Sequence, residues 1–169
     1  MEKFYKTEVE KINENPFTLI GREWMLVTAT DKNGGYNTMT ASWGGLGVLW
    51  GKNVAFVFIR PQRYTREFAD SSDTVTLSFF PEEYRSALSF CGSHSGRDFD
   101  KAAETGITPV LTDSGAVTFE ESRLVLEGRK LYRDALKEEC FIDSEALSHY
   151  KAGDFHYVYV YEITEVYRK

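Results

Sequence analysis

Strand signals follow one another along most of this chain while the strand–helix alternation of a parallel sheet is missing, and that order points to a mainly β architecture. Trp24 to Thr30 reads as a strand, Asp31-Lys32-Asn33-Gly34-Gly35 as a turn, and Asn37 to Trp43 and Asn53 to Ile59 as two further strands. Asn33-Gly34 is a good hairpin signal, since both residues tolerate positive φ. Thr74 to Phe79 alternates strictly, with Val75, Leu77 and Phe79 on one face and hydroxyl residues on the other, so a half-buried strand is predicted. More strands are expected around Leu124 to Tyr132 and from His156 to Tyr167, where Tyr157, Tyr159, Tyr161 and Ile163 share a face.

Helix signals are short. Phe4, Tyr5, Val9 and Ile12 fall near one side of a helix predicted over Phe4 to Asn13, ended by Asn15-Pro16. Proline suits a first helical turn, which predicts helices from Pro61 to about Ala69 and from Pro81 to about Phe90. A polar helix from Arg97 to Glu104 closes at Gly106, and another lies near Ser144 to Tyr150. Gly92-Ser93-His94-Ser95-Gly96 is expected as a glycine-rich loop able to approach a ligand. The expected class is therefore mainly β with short helices, a β-barrel carrying a helical subdomain. No repeat or linker divides the 169 residues, 42% of them hydrophobic, so one domain over residues 1–169 is expected.

Charge and cysteine use exclude several roles. A net charge of -6 with no basic run argues against nucleic acid, whose backbone must be met by clustered positive charge. MEKFYKTEVEKINENPF lacks the apolar core of a signal peptide, and no stretch approaches the roughly 18 apolar residues of a membrane span. A soluble cytoplasmic protein is expected, with Cys91 and Cys140 as free thiols. Cys91-x-x-His94 has no second pair, so no zinc site is predicted. Gly45-Leu46-Gly47 and Gly51-Lys52 fail the dinucleotide and P-loop patterns, and no Rossmann domain is visible.

The chemistry concentrates between Asn37 and Thr65. Asn37-Thr38-Met39-Thr40-Ala41-Ser42-Trp43 mixes hydroxyls, an amide and a small apolar residue, which suits a backbone lying close to a flat polar ligand. Trp43 is equally compatible with the core. Val54 to Ile59 is continuously apolar, as in a strand buried on both faces. Arg60-Pro61-Gln62-Arg63-Tyr64-Thr65 follows, and a helix start with the Arg63 guanidinium and Thr65 hydroxyl nearby makes an anion site fit for a phosphate monoester. Arg60 is the second-choice clamp.

At these residues the sequence resembles the flavin reductase-like proteins of the FMN-binding split-barrel superfamily, flavoredoxins among them. The resemblance rests on N-x-M-T-x-S-W and R-P-x-R-Y-T, on Cys91 to Lys101, and on Gly153-Asp154-Phe155-His156 where the family often has G-D-H. It spans roughly Pro16 to Val166, and His156 matches the family histidine only with an offset of one. It implies a split β-barrel, a homodimer, and FMN ahead of FAD. Met39 to Trp43 would run along the flavin ring and ribityl chain, with Asn37, Arg60, Arg63, Tyr64 and Thr65 also in the site. Ser95, Gly96, Arg97 and Lys101 are expected beside it, with Arg97 or Lys101 at the pyrimidine edge or the phosphate. The implied activity is hydride transfer from NADH or NADPH, bound transiently over the flavin. The alternatives are an electron carrier serving a redox protein partner and a flavin-free binding barrel.

Overall fold

Only Ser42 and Trp43 separate β3 (Tyr36–Ala41) from β4 (Gly44–Leu49), yet these strands end the main sheet on opposite sides. Between them along the sheet lie β2 (Met25–Thr30), β6 (Thr74–Phe79), β9 (Leu124–Ala135), β10 (Tyr157–Arg168) and β5 (Lys52–Ile59), in that order, every pair antiparallel. Laid flat, such a path is about 29 Å wide at roughly 4.8 Å per strand. Three Cα–Cα steps span at most about 11 Å. The sheet must therefore curl into a barrel. Among the described residues no ladder joins β3 to β4, so the barrel stays split along that seam. Gly44 sits at the crossing, where a Cβ would come within 2.8 Å of the Phe56 carbonyl oxygen.

The computed structural model describes Met1 and residues 3–169. Its inner face is one apolar cluster that includes Val27, Val57, Leu77, Leu126, Tyr159 and Tyr161, all at most 2% exposed. A second cluster around Leu26, Leu88, Cys91 and Phe119 lies under α3 (Arg85–Ser93) and α4 (Lys101–Thr105). The remaining α-helices among the described residues are α1 (Pro16–Thr18), α2 (Thr65–Ser71) and α5 (Ser144–Leu147).

Several expectations are corrected. The segment before Pro16 is not a helix from Phe4 to Asn13: it forms β1 (Tyr5–Thr7) and a 3-10 turn (Val9–Lys11). β5 pairs with β10 only from Tyr157 to Glu162, and β1 pairs with the far end, Val166 to Arg168, on the edge that β5 leaves open, the other edge being bonded to β9. Asn15 does not end a helix but begins one, its side chain accepting from the Phe17 N–H at 3.0 Å. The helix after β5 starts at Thr65 and not at Pro61, because the Arg60 carbonyl first accepts the Arg63 N–H in a tight reversal.

β6 occupies the predicted span, but its hydroxyl face is not solvated. A hairpin of β7 (Pro109–Leu111) and β8 (Val117–Phe119) covers it, and Thr76 and Ser78 are fully buried. Thr76 Oγ1 donates to the Val117 carbonyl at 2.6 Å, and Ser78 and Thr118 share a hydroxyl pair at 2.8 Å. β5 is not closed on both faces either, since Phe56 and Phe58 are only half-buried. Gly92 and Ser93 belong to the end of α3 and the next helix starts at Lys101 rather than Arg97, so the loop expected over residues 92–96 runs instead over residues 94–100. β4 escapes sequence reading because its three glycines mask any alternation.

Candidate functional site

The seam beside β3 opens into two adjoining cavities of about 220 Å³ each, which share Met39, Arg60 and Arg63. One is a slot between Met39–Trp43 on one side and Phe58 and His156 on the other. The other is polar and reaches Asn37, Tyr64, Thr65, Ser95, Gly96 and Lys101. Of the residues expected at the site, all but Arg97 line this cleft.

The walls are tied together by side chains far apart in sequence. Asn37 Nδ2 donates to Thr65 Oγ1 at 2.7 Å, joining β3 to the start of α2. Thr65 is completely covered, so its hydroxyl serves this tie rather than an open surface. Gly96 lies so close to Asn37 that a Cβ would come within 1.8 Å of Oδ1. Only glycine lets the 94–100 loop rest on β3. Thr40 Oγ1 donates to the Leu88 carbonyl and fixes β3 under α3. Tyr64 packs edge-on against Phe68 with ring centres 5.0 Å apart.

Lys101 is 6% exposed and, among the described residues, has no carboxylate partner. Its ammonium donates to the Thr38 and Cys91 carbonyls, each at 2.8 Å. Burial pushes its pKa down to about 8, and the nearby Arg63 charge adds to the fall. Arg63 is half-buried and similarly held: Nη1 donates to the Gly92 carbonyl at 2.5 Å, among the described residues no carboxylate pairs with it, and burial followed by Arg60 lowers its pKa. A cation withdrawn from water and held by carbonyls alone is costly to keep, and the buried Lys101 with the half-buried Arg63 brings two positive charges to one cleft.

Arg60 differs, for it is already engaged by Asp154 and by the His149 carbonyl at 3.1 Å. Arg97 does not line either cavity: it pairs with Glu67 and lies 4.4 Å over the Tyr64 ring, whereas Lys101 lines the polar one. Ser95 caps the turn before it, accepting the Arg97 N–H at 3.2 Å.

Trp43 is not a core residue; it is 46% exposed and stands between His149 and His156, with ring centres 5.3 Å from each. His156 is buried, and its Nδ1 meets the Tyr150 hydroxyl at 2.8 Å. Burial first, then the Arg60 and Arg63 charges, lower its pKa to about 4, so the ring is a neutral imidazole at pH 7. Tyr150, Phe58 and Asp154 were not expected as site residues. Only Gly153-Asp154-Phe155-His156 pointed to that wall from sequence, and its offset obscured which side chain would face inward. A larger cavity of about 390 Å³, lined by Phe17, Ile20, Trp43 and Leu46, lies nearby but has no charged side chain. Among the described residues no cluster of three or more His, Cys, Asp or Glu could hold a metal ion.

Residues 17–168 match the model of the flavin reductase like domain family. The fold is shared with flavoredoxin of Desulfovibrio vulgaris (Miyazaki F) at 20% identity over 98% of this chain and 77% of that chain, with a TM-score of 0.68. It is shared with an FMN-binding protein from Thermus thermophilus at 20% identity, 86% and 71% coverage and a TM-score of 0.69. A split-barrel protein from Shewanella frigidimarina gives 19% identity, 96% and 79% coverage and a TM-score of 0.69. At these identities the likeness shows the fold. Comparison with curated proteins gives no match.

Proposed function

We propose, from the premise that this chain belongs to the flavin reductase like domain family, that it is an FMN-binding oxidoreductase moving hydride between NADH or NADPH and flavin. The observation that carries this reading is the pair Lys101 and Arg63, two partly or wholly buried cations in one cleft with no carboxylate partner among the described residues. A phosphate monoester bears between one and two negative charges at neutral pH and would supply the missing charge. The residues fit such a ligand: polar groups and cations at one end, and at the other a slot bounded by Ala41, Ser42, Trp43 and Phe58.

Flavin, when bound, supplies two-electron chemistry at its ring. The chain's task is to bind and orient. Ala41 and Ser42 are small enough to let a planar ring approach the β3 backbone, and Trp43, Phe58 and the neutral His156 present apolar or uncharged surface that excludes water. Neither an acid nor a base is required for hydride transfer itself, which agrees with a cleft built from binding groups. With no dinucleotide fingerprint in the sequence, the nicotinamide is proposed to dock transiently over the flavin ring.

The reading includes one domain, a cytoplasmic setting and a homodimer. For the dimer, the run from Ser42 to Gly51 carries no charge, and Phe17, Val48 and Trp50 are 85%, 72% and 59% exposed around the free edge of β4. A neutral apolar edge lets two acidic copies meet.

Two measurements test the function: the visible spectrum of protein mixed with FMN and passed through gel filtration, and steady-state oxidation of NADH and NADPH with free FMN. Co-eluting flavin and turnover with either nucleotide are expected. Bound flavin without turnover moves the reading to an electron carrier with a redox protein partner, as the name of the Desulfovibrio vulgaris relative suggests. Protein that binds no FMN overturns it.

A further inference from the structure

Residues 138–155 leave the barrel between β9 and β10 and return beside the cleft. Among the described residues, every side-chain hydrogen bond or ion pair from this stretch to elements outside the β9–β10 arm runs to Arg60 or Gln62. Asp154 is the hub: Arg60 Nη1 donates to it, and Gln62 Nε2 donates to the same oxygen at 2.9 Å. The hydrogen bonds from Gln62 and Arg60 hold the Asp154 carboxyl below the usual carboxylate range. The Arg60 guanidinium also lies 5.2 Å over the Tyr150 ring. That ring stacks on Phe155 with centres 4.9 Å apart, and its hydroxyl meets His156.

Arg60 faces two ways, because it also lines both halves of the ligand cleft. We propose that Asp154 is a positioning residue of the cleft: by holding Arg60 it docks the wall built from His149, Tyr150 and His156, and it withholds a third cation from the site beside Arg63 and Lys101. The second half of this statement rests on the anion reading given above.

The physical argument is competition for one guanidinium. Arginine pairs strongly with any well-placed oxyanion, and the side chain here can serve Asp154 or a phosphate in the cleft. Neutralising Asp154 leaves Arg60 partly buried without its counter-ion, which favours an anion in the cleft. By linkage, an anion that draws Arg60 inward weakens the hold on residues 138–155.

Asp154→Asn keeps the shape of the side chain and an oxygen for Gln62 while removing the charge. The flavin-free protein is titrated with inorganic phosphate by calorimetry, and amide hydrogen exchange is followed across residues 138–155. Asp154→Asn is expected to bind phosphate roughly threefold tighter or better, the order of gain for one added partly exposed charge contact. Exchange across 138–155 is expected to rise at least about tenfold, a local opening that leaves the barrel protected. The double variant Asp154→Asn with Arg60→Met should lose the gain in phosphate affinity and keep the fast exchange. Unchanged exchange in Asp154→Asn overturns the docking role, and unchanged or weaker phosphate binding overturns the withheld charge. Wild-type protein that binds neither phosphate nor FMN brings down the anion reading and the withheld charge with it. Wild-type protein that binds both, with Asp154→Asn indistinguishable from it, overturns this proposal alone.

Discussion

Asn37 and Thr65 stand 28 residues apart in sequence and are joined side chain to side chain at 2.7 Å, buried between β3 and α2. This bond fixes the width of the polar end of the cleft. Thr65→Val leaves the Asn37 amide donor buried without its partner, so a loss of about 1–3 kcal/mol is expected. Urea denaturation measures it, and a midpoint equal to wild type would show the bond to be dispensable.

Arg63→Ala should weaken FMN far more than riboflavin, because only FMN carries the phosphate. Loss of one charge-assisted contact corresponds to about 2 kcal/mol, or roughly thirtyfold in affinity. Titration of both ligands into wild type and variant gives the two ratios. Equal weakening would place Arg63 elsewhere than at the phosphate.

Lys101 predicts a pH dependence with a defined sign. Its folded pKa, lowered to about 8, lies below the ordinary lysine value of 10.5, so between these values the unfolded chain holds the proton and the native protein does not. Stability of the flavin-free protein should therefore gain a contribution as pH rises from about 8 to 10.5, and lack it below. Phosphate binding needs the charged form, so affinity should fall as pH rises above about 8. Lys101→Met should flatten both profiles; a profile unchanged by that substitution would assign the dependence to another group.

His156 gives the acid counterpart. Its pKa is lowered from 6.5 to about 4, so as pH falls through that window the unfolded state takes up the proton first and stability is lost. The ring proton resonances in NMR should move with a midpoint near 4, well below an ordinary histidine. His156→Gln should reduce the acid sensitivity of the thermal midpoint between those two values.

Two glycine substitutions should separate close packing from open space. A Cβ at Gly96 would meet Asn37 Oδ1 at 1.8 Å, whereas one at Gly21 meets nothing within 4 Å. Gly96→Ala should cost about 1–3 kcal/mol, the usual penalty of overpacking, and weaken FMN. Gly21→Ala should stay within about 0.5 kcal/mol of wild type or gain slightly. Equal effects of the two would mean that the 94–100 loop yields freely.

Much of the barrel is legible along the chain. The alternation of Thr74 to Phe79 gives β6 to the residue, Asn33-Gly34 marks the β2–β3 turn, and the tyrosine face of β10 points into the main cluster. The Asn37–Thr65 stretch and the Cys91–Lys101 segment likewise lead to the cleft. Edge elements are less visible: β1 is a three-residue strand on the edge of β10 that β5 leaves open, and β4 has too few side chains to show a period.

Local spacing and turn chemistry depend on neighbours within a few residues, so many strands and turns, and the segment that lines the cleft, could be read from residue order alone. The state of each charge could not. Arg60 and Arg97 look as available as Arg63 until Asp154, 94 residues from Arg60, and Glu67, 30 residues from Arg97, are found beside them. Lys101 looks like a solvated helix residue until it is seen enclosed against Thr38 and Cys91. Electrostatic demand is set by desolvation and by which group stands opposite, and both arise only when the barrel closes and brings distant strands together.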